Sequence, residues 1–506
     1  MADGAQKYLL GLDAGNTVIK AVLFDLEGRQ VAMHALDGQT STPQPGHVER
    51  DLKELWSNAG TAITACIEAA GIDPNQILAI GCAGHGNGLY LLDRAGDPLL
   101  GIQSLDTRAA GVAKELADAN GDRLHELCLQ KPWPSQTPAL LTWVKRYRAD
   151  LYAQIGTVLL CKDFVTYRLT GERVSDISDM SGCGFTRMPD AQYDDELLDL
   201  YGLADAKHML PPLIDPADVA GYVTSDAAAA TGLAEGTPVI GGYFDVVSSA
   251  LGSGAGLPGD ASIICGTWSI NQVFSDAPVA DPNVFMVSAF GSNHYVNIEA
   301  SATSAVNLEW YVRELVERDG HHDDPFGHCN QMVGQVDPRL DDPFFHPFLY
   351  GSGQGADYRA GFYGLAGWHT EGHLVRALFE GVMFEHRRHI DVLKASGVTF
   401  NRAILSGGGA RSPHWPQMFA DCLGVPIVVA EAQETGALGA AIGAAVATGM
   451  VADYAEGIQK MTRPRQTYTP EPLMKAHYDR RYDLFTVLTD TLQPFWDELG
   501  KGEEEI

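Results

Sequence analysis

Twice in this chain an apolar run enters a short polar turn built on glycine and threonine and leaves as a second apolar run. The first copy is LLGLDAGNTVIKAVLFD, residues 9 to 25, and the second is ASIICGTWSINQVF, residues 261 to 274. Each predicts a β-hairpin. One such turn says little, because Asp, Gly and Asn dominate turns anyway. Two of them, each opening a stretch of alternating strands and helices, call for one α/β plan used twice.

The rest of the chain fits that plan. Tyr8–Asp13, Ile19–Asp25, Ile77–Gly81, Thr157–Leu160 and Val239–Gly242 read as strands; Leu52–Ala69, Ala139–Tyr152 and Val246–Gly252 read as helices. After the second hairpin, GHLVRALFEGVMFEHRRHIDVL (372 to 393) predicts a long amphipathic helix. RAILSGGGARSPHWPQMFADCLGVPIVVA (402 to 430) predicts strand, glycine turn, helix and strand. The length of 506 residues exceeds one ordinary core, so two domains are expected, 1–255 and 256–506. GSGAGLPGD, 252 to 260, has the glycines of a hinge. Met474 to Trp496 predicts a terminal helix, with a frayed KGEEEI end.

Composition limits the partners. The formal net charge is −30, from 35 Lys+Arg against 65 Asp+Glu. A field of that sign repels nucleic acid and anionic lipid. No stretch approaches the ~20 apolar residues of a membrane span, and Met1 to Lys7 shows no signal-peptide pattern. The eight cysteines are scattered without a C-x-x-C, which suits reduced thiols in the cytoplasm.

The hairpin turns carry the chemistry. No G-x-x-x-x-G-K-[ST] is present, and Gly15 leads into strand residues rather than a helix, so both the P-loop and the dinucleotide fingerprint fail. What remains is a turn whose N–H groups and Thr17 hydroxyl face a ligand, with the Asp13 carboxylate suited to a hydrated Mg²⁺ on phosphate oxygens. The second turn offers Gly266, Thr267 and Ser269 and no acid, which suits direct phosphate contact. Two such tips facing across a cleft would grip a triphosphate. LSGGGARSPHW, 405 to 415, bares backbone at a helix start, with Ser412 expected as the cap and Pro413 as the first helical residue. ETGALGAAIGAAVATG, 434 to 449, reads as a small-residue helix for close packing. In GGYFDVVSSALGSG, Asp245 stands between strand and helix. It is either an N-cap or a general base taking a proton from a substrate hydroxyl. His85, Asn87, Asp106 and Arg108 follow strand-like segments in GCAGHGNGLYLLD and SLDTRA, a mixture of donors and acceptors suited to a neutral polyhydroxylated molecule.

In combination these segments resemble the FGGY carbohydrate kinases, of the actin/hexokinase/Hsp70-like ATPase superfamily, over Leu9 to Gly449. GLDAGNTVIKAVLFD resembles the family's first phosphate motif and CGTWS the second. SGGGARSPHWPQMFAD with ETGALGAAIGA is similar to the adenosine segment, CKDFVTYRLTGE and SDISDMSG to the substrate-domain segment, and AGFYGLAGWHTEGHLVRALFEG to the C-terminal signature. GGYFDVVSSALGSG, IEASATSAVNLEW and PFLYGS are most similar to the xylulose-type pentulose kinases of that family. The resemblance implies two similar ribonuclease-H-like domains with a cleft between them. The first would bind the sugar and the second the nucleotide, in a cytoplasmic, homodimeric enzyme. It implies ATP and Mg²⁺ as cofactors, Asp245 as catalytic base and Asp13 as the metal-associated acid. Gly15, Asn16, Thr17, Lys20, Gly266 and Thr267 would face phosphates. Gly408, Gly409 and Ser412 would lie near adenine and ribose, and His85, Asn87, Asp106, Arg108 and Asp245 near the sugar. The substrate would be a pentulose or, as the alternative, an erythritol-type polyol. A nucleotide-switching protein without kinase activity and a sugar-binding regulator share the fold, but the intact Asp245 argues against the regulator. No separate peptide- or DNA-binding segment supports either one.

Overall fold

The computed structural model describes residues 6–291, 293–318, 320–352 and 358–501; the predicted frayed end, from residue 502 on, lies outside them. Along the chain come β1 (Tyr8–Ala14), β2 (Val18–Asp25), β3 (Gln30–Asp37), β4 (Thr40–Ser41), β5 (Glu49–Arg50), α1 (Leu52–Ala70), β6 (Ile77–Gly84), β7 (Leu89–Asp93), β8 (Pro98–Ile102) and α2 (Ala110–Cys128). Then follow α3 (Thr137–Tyr147), α4 (Ala149–Tyr152), β9 (Ile155–Leu159), α5 (Cys161–Thr170), α6 (Ile177–Gly182), β10 (Val219–Tyr222), β11 (Pro238–Ile240), β12 (Tyr243–Phe244) and α7 (Asp245–Ser253). The later part uses β13 (Asp260–Cys265), β14 (Ser269–Ser275), β15 (Met286–Gly291), α8 (Pro325–Gly334), α9 (Glu371–Ala395), β16 (Arg402–Ser406), α10 (Trp415–Leu423), β17 (Ile427–Ala430), α11 (Thr435–Ala447), β18 (Pro464–Tyr468) and α12 (Pro472–Lys501).

The residues group into two compact units. One holds the chain up to 258 together with 274–297 and 431–463; the other holds 259–273, 298–430 and the chain from 464. In the first, the sheet order is β10-β11-β6-β1-β2-β3, with β12 also beside β6. β1 and β2 form the predicted antiparallel hairpin, Gly11 opposite Val22, and β6 returns parallel to β1. The return is made by α1, whose Asp51 cap accepts from the Lys53 and Glu54 N–H groups and whose end is closed by left-handed Gly71. Strand alternation then sorts the faces. Leu10, Leu12, Ile19, Ala21 and Leu23 join Leu55, Ala59, Ile63 and Cys66 of α1 in one core. On the other face a Cβ at Gly11 would fall 2.0 Å from the Ala437 carbonyl oxygen of α11, so the small-residue helix lies directly on the sheet. A second sheet, β4-β5-β8-β7-β9, flanks the first turn with β5 and the 103–108 segment after β8.

The second unit repeats the plan. β13 and β14 pair antiparallel, Cys265 opposite Ser269, and β16 lies parallel to β13. β17 adds parallel to β16 and β18 closes the edge antiparallel. The 25-residue α9 makes the crossover.

Two local expectations are corrected. The helix expected over 139–152 breaks at Arg148 (φ −134°, ψ 54°) into α3 and the one-turn α4; the apolar pattern carries from Val144 to Leu151 and is blind to the change of direction. The helix expected to start at Pro413 starts at Trp415, after a short turn of 3₁₀ helix over Gly408–Arg411, with His414 at the cap. Ser412 still serves the start of α10, its hydroxyl accepting from the His414 and Trp415 N–H groups at 3.2 and 3.3 Å.

Candidate active site

In the first unit the site is built from the end of β1, the start of α7 and α11. Asp13 is the penultimate residue of β1. Burial pushes its carboxyl up to about 6, against the pull of Lys20, with Glu434 adding to the rise. Lys20 and Glu434 form an ion pair of 2.7 Å beside it. Lys20 is therefore partnered by a carboxylate that the sequence reading did not single out. Asp245 is the first residue of α7, and its predecessor Phe244, in the cap position, makes no side-chain cap bond. Burial, then the charge of Asp13, raises the Asp245 carboxyl to about 8, only partly offset by the Val246 backbone N–H. Two carboxyls pushed up by burial, one of them further by the other's charge, at the end of a strand and the start of a helix are candidates for acid–base chemistry.

Behind them is a set of charges that sequence reasoning did not assign. Lys162 of α5, fully buried, contacts Asp163, Asp176 at 2.5 Å and Asp179 at 3.5 Å. The neighbouring acids, Asp163 foremost, outweigh burial and hold the lysine protonated. Burial with the neighbouring acids, Asp245 among them, pushes Asp179 well above the carboxylate range. Asp176 caps α6 through the Ser178 and Asp179 N–H groups, and the Ser178 hydroxyl accepts from the Phe244 N–H at 3.3 Å, one residue before Asp245. α6 is fixed in turn by β15, where the Ser288 hydroxyl donates to the Ser178 carbonyl at 2.7 Å. The signal was present in CKDF and SDISD, but acids at this spacing read equally as solvated caps.

The sugar-side candidates separate into two kinds. Asp106 and Arg108 spend their charges on each other at 2.8 Å; Arg108 also pairs with Glu49 at 2.8 Å and lies over Trp143. Asp106 additionally accepts from the Val48 N–H. His85 is buried and held neutral, its pKa lowered to about 4 by burial. Its Nδ1 faces the Gly86 carbonyl at 3.3 Å, so Nδ1 carries the proton and Nε2 accepts from the Tyr90 hydroxyl at 2.7 Å. Asn87, buried and left-handed at φ 61°, keeps a side-chain oxygen without a partner among the described residues. Asn16 donates to the Ser104 hydroxyl at 2.9 Å.

In the second unit the turn at Gly266 and Thr267 sits on a buried, neutral network. Ser269 Oγ lies 3.1 and 3.2 Å from Nδ1 of His386 and His389, and Asn271 and Ser304 complete the set. Burial lowers His386 to about 3 and takes His389 well below its ordinary value. The glycine run packs against this hairpin: a Cβ at Gly409 would fall 2.4 Å from the Cys265 sulfur. Gly408 and Ser412 line a cleft of about 400 Å³ with Leu308, Phe326, Asn330 and Trp415. Ser412 donates to the Asn330 side chain at 2.7 Å, and Trp415 stacks on Phe379 at 4.2 Å. The cleft offers apolar walls and a few fixed polar groups, the make-up of a small-molecule site.

A duplicated hairpin fold with a pair of buried, raised carboxyls in one unit and a glycine-lined cleft in the other has the parts a phosphotransferase needs. Residues 8–252 match the N-terminal domain and residues 261–448 the C-terminal domain of the FGGY family of carbohydrate kinases; the chain belongs to that family. It is 35 % identical over 493 residues to the L-xylulose/3-keto-L-gulonate kinase of Escherichia coli K12, covering 97 % of this chain and 98 % of that one. A probable L-xylulose kinase of Pasteurella multocida is 35 % identical over 491 residues, 96 % of this chain and 99 % of its own. The crystal structure of xylulose kinase from Rhodospirillum rubrum superposes with a TM-score of 0.89 at 29 % identity, over 97 % of this chain and all of that one. The enzyme is thus an ATP-dependent carbohydrate kinase of the two-domain actin/hexokinase-like fold. Among the described residues no helix is long and apolar enough to cross a membrane.

Proposed function

We propose that the enzyme phosphorylates a pentulose of the xylulose type at a terminal hydroxyl, with Asp245 as general base. The observation that carries the base is its position at the start of α7 with a carboxyl raised to about 8, near the working pH, where proton transfer is most effective. The Asp245 carboxylate takes the proton of the sugar hydroxyl. That oxygen forms a bond to the γ-phosphorus of ATP while the bond from phosphorus to the β,γ-bridging oxygen breaks, and ADP leaves with the electron pair. The proton stays on Asp245 until it passes to water.

The pentulose assignment is supported by relatives named L-xylulose kinase along nearly the whole chain. A neutral substrate fits the candidates, since Arg108 is spent on Asp106 and Glu49 and offers no cation to an already phosphorylated sugar. Asn87, with its free buried oxygen, is the candidate best able to accept from a sugar hydroxyl. His85, Asp106 and Arg108 shape that wall through the contacts they already make.

We assign Gly15, Asn16, Thr17 and Lys20 to the phosphates from one side and Gly266 and Thr267 from the other, with Gly408, Gly409 and Ser412 along the adenosine. Asp13 fits a Mg²⁺ that arrives on the nucleotide. It is one carboxylate beside exposed turn backbone, and no group of three or more His, Cys, Asp or Glu among the described residues is arranged to hold an ion by protein ligands alone. Held there, Mg²⁺ would neutralise phosphate charge and relieve the repulsion between Asp13 and Asp245. The sugar-binding and nucleotide-binding roles divide near residue 255, between the two family matches. Eight free, buried cysteines suit a cytoplasmic enzyme. Val487 and Phe495, 59 % and 57 % exposed on α12, suit a homodimer, which light scattering would check.

The test is ADP release with L-xylulose, D-xylulose, L- and D-ribulose, erythritol, ribitol and glycerol. A pentulose should give the highest kcat/KM. Isomers should lose roughly 10- to 100-fold for each buried polar group they leave unpaired. A profile led by erythritol would move the assignment to the polyols, and one led by glycerol would remove the pentulose altogether.

A further inference from the structure

We propose that Arg50 is a positioning residue that fixes the first hairpin turn in its phosphate-receiving orientation, which rests on the reading that residues 15–17 meet the nucleotide. The argument is a carbonyl account. Arg50 leaves the two-residue strand β5 with its side chain wholly buried. Its Nη1 donates to the Gly15 carbonyl at 3.2 Å and to the Asn16 carbonyl at 3.4 Å. Gln103 donates a further bond to the Asn16 carbonyl, and the Gly38 N–H donates to Thr17 at 2.6 Å. The Gly15 and Asn16 carbonyls are thus bonded from the Arg50 side, and the Thr17 carbonyl continues the β2–β3 ladder.

A trans peptide is planar, with C=O and N–H pointing in opposite directions. Carbonyls of Gly15 and Asn16 drawn inward therefore turn the N–H groups of Asn16 and Thr17 outward. No acceptor among the described residues takes either N–H. Successive outward N–H groups form an anion-binding concavity. If the donors beneath were lost, the same peptides could rotate and present carbonyl oxygens to a phosphate.

The choice of residue follows. One planar guanidinium supplies several donors in a fixed fork. Glu54, 3.3 Å from Nε, anchors the opposite edge, so the group is held between α1 and the turn. Packing is close, since a Cβ on Gly38 would fall 2.1 Å from Nη2. Among the described residues Nη2 has no hydrogen-bond partner, so part of the cation stays uncompensated beneath the turn, which favours negative charge above it. The Arg50 charge also helps to hold neighbouring His85 neutral. In the sequence, Arg50 lies in GHVERD, where it reads as one of several surface charges.

The experiment compares the full-length enzyme with Arg50→Gln and Arg50→Lys, measuring KM for MgATP, KM for the sugar and kcat. Arg50→Gln should raise KM for MgATP by about 10- to 100-fold, leaving the sugar KM and kcat at saturating nucleotide within about threefold. Arg50→Lys, able to reach one carbonyl, should recover part of the loss. Should Arg50→Gln fail to fold, Gln103→Leu removes the other side-chain donor to Asn16 and should give the same selective rise at a smaller size. An unchanged KM for MgATP, or equal losses in nucleotide and sugar terms, overturns the proposal. Gly15→Val separates the two levels. If it raises KM for MgATP while the Arg50 and Gln103 variants do not, the positioning role is wrong and the turn's phosphate role stands. If none of them moves KM for MgATP, the phosphate role falls as well.

Discussion

The two hairpins share a backbone plan and differ in what lies around the turn. The β1–β2 turn has an acid at its entry, an ion pair beside it and a guanidinium beneath it, in Asp13, Lys20–Glu434 and Arg50. At the β13–β14 turn, Gly266 is tied by backbone, its carbonyl accepting from the Ala305 N–H at 2.8 Å, and below are neutral imidazoles. The same device carries charge against the turn in one copy, while in the other an ion pair, Arg388–Glu385, is set back behind the imidazoles and meets them at His389 Nε2, 3.1 Å from Arg388. Charge is costly to bury, so its placement against one turn marks that turn as the candidate for handling the reaction's charge. Under the proposed function, the first hairpin would serve a cation-bearing phosphate and the acid–base step, and the second would supply N–H groups and shape.

The largest expected effect belongs to the charged side. Asp245→Asn should lower kcat by on the order of 10²- to 10⁴-fold, with ATP affinity by calorimetry nearly unchanged. Near-wild-type kcat would remove Asp245 from the mechanism. Next, Asp13→Asn should cost about 10²- to 10³-fold in kcat and raise the Mg²⁺ concentration needed for half-maximal rate. Thr267→Val on the neutral side should cost only about 3- to 10-fold and leave the Mg²⁺ requirement alone. If both variants shift that requirement equally, the contrast between the turns fails.

A smaller effect concerns stability, where the two regions should carry opposite pH slopes. Asp245 and Asp13 bind protons more tightly folded than unfolded, at about 8 and 6 against an ordinary 3.8. Their contribution to stability falls as pH rises from about 4 to about 8. His386, held near 3 against an ordinary 6.5, binds its proton less tightly when folded, so its contribution is full above 6.5 and lost as pH falls toward 3. Thermal unfolding should therefore show Asp245→Asn above the wild type at pH 8 and level with it near pH 4. His386→Asn should lower the midpoint at pH 7 by leaving Ser269 and Ser304 underpaired, with the gap closing in acid. A gap that widens in acid would contradict the neutral network.

Much of this was legible in the sequence. Both hairpins, their polar turns and the strands that begin near Ile77 and Arg402 follow from apolar period and glycine placement, because a turn and its flanking strands are decided locally; that those two strands lie parallel to β1 and β13 is a long-range pairing the pattern does not carry. Asp245 was legible as a residue between strand and helix, with cap and base left as alternatives. Partners from distant segments were not. Nothing in ETGALGAAIG says that Glu434 will pair with Lys20, 414 residues away, or that α11 will lie on Gly11. Lys162 and Arg50 look like surface charges until the fold encloses them. Arg108 and Asp106 stand two residues apart and pair with each other, a local contact the spacing did permit.

The pH dependence of the wild-type rate tests the central claim most directly. With nucleotide and sugar both well below saturation, the rate constant reports the free enzyme's base. The account predicts that it rises through pH 7 and levels off above an apparent pKa near 8, where Asp245 gives up its proton, with that rise absent in Asp245→Asn. A wild-type profile that is flat from pH 6 to 9, or that falls over that range, would contradict a carboxyl base held protonated in the empty site.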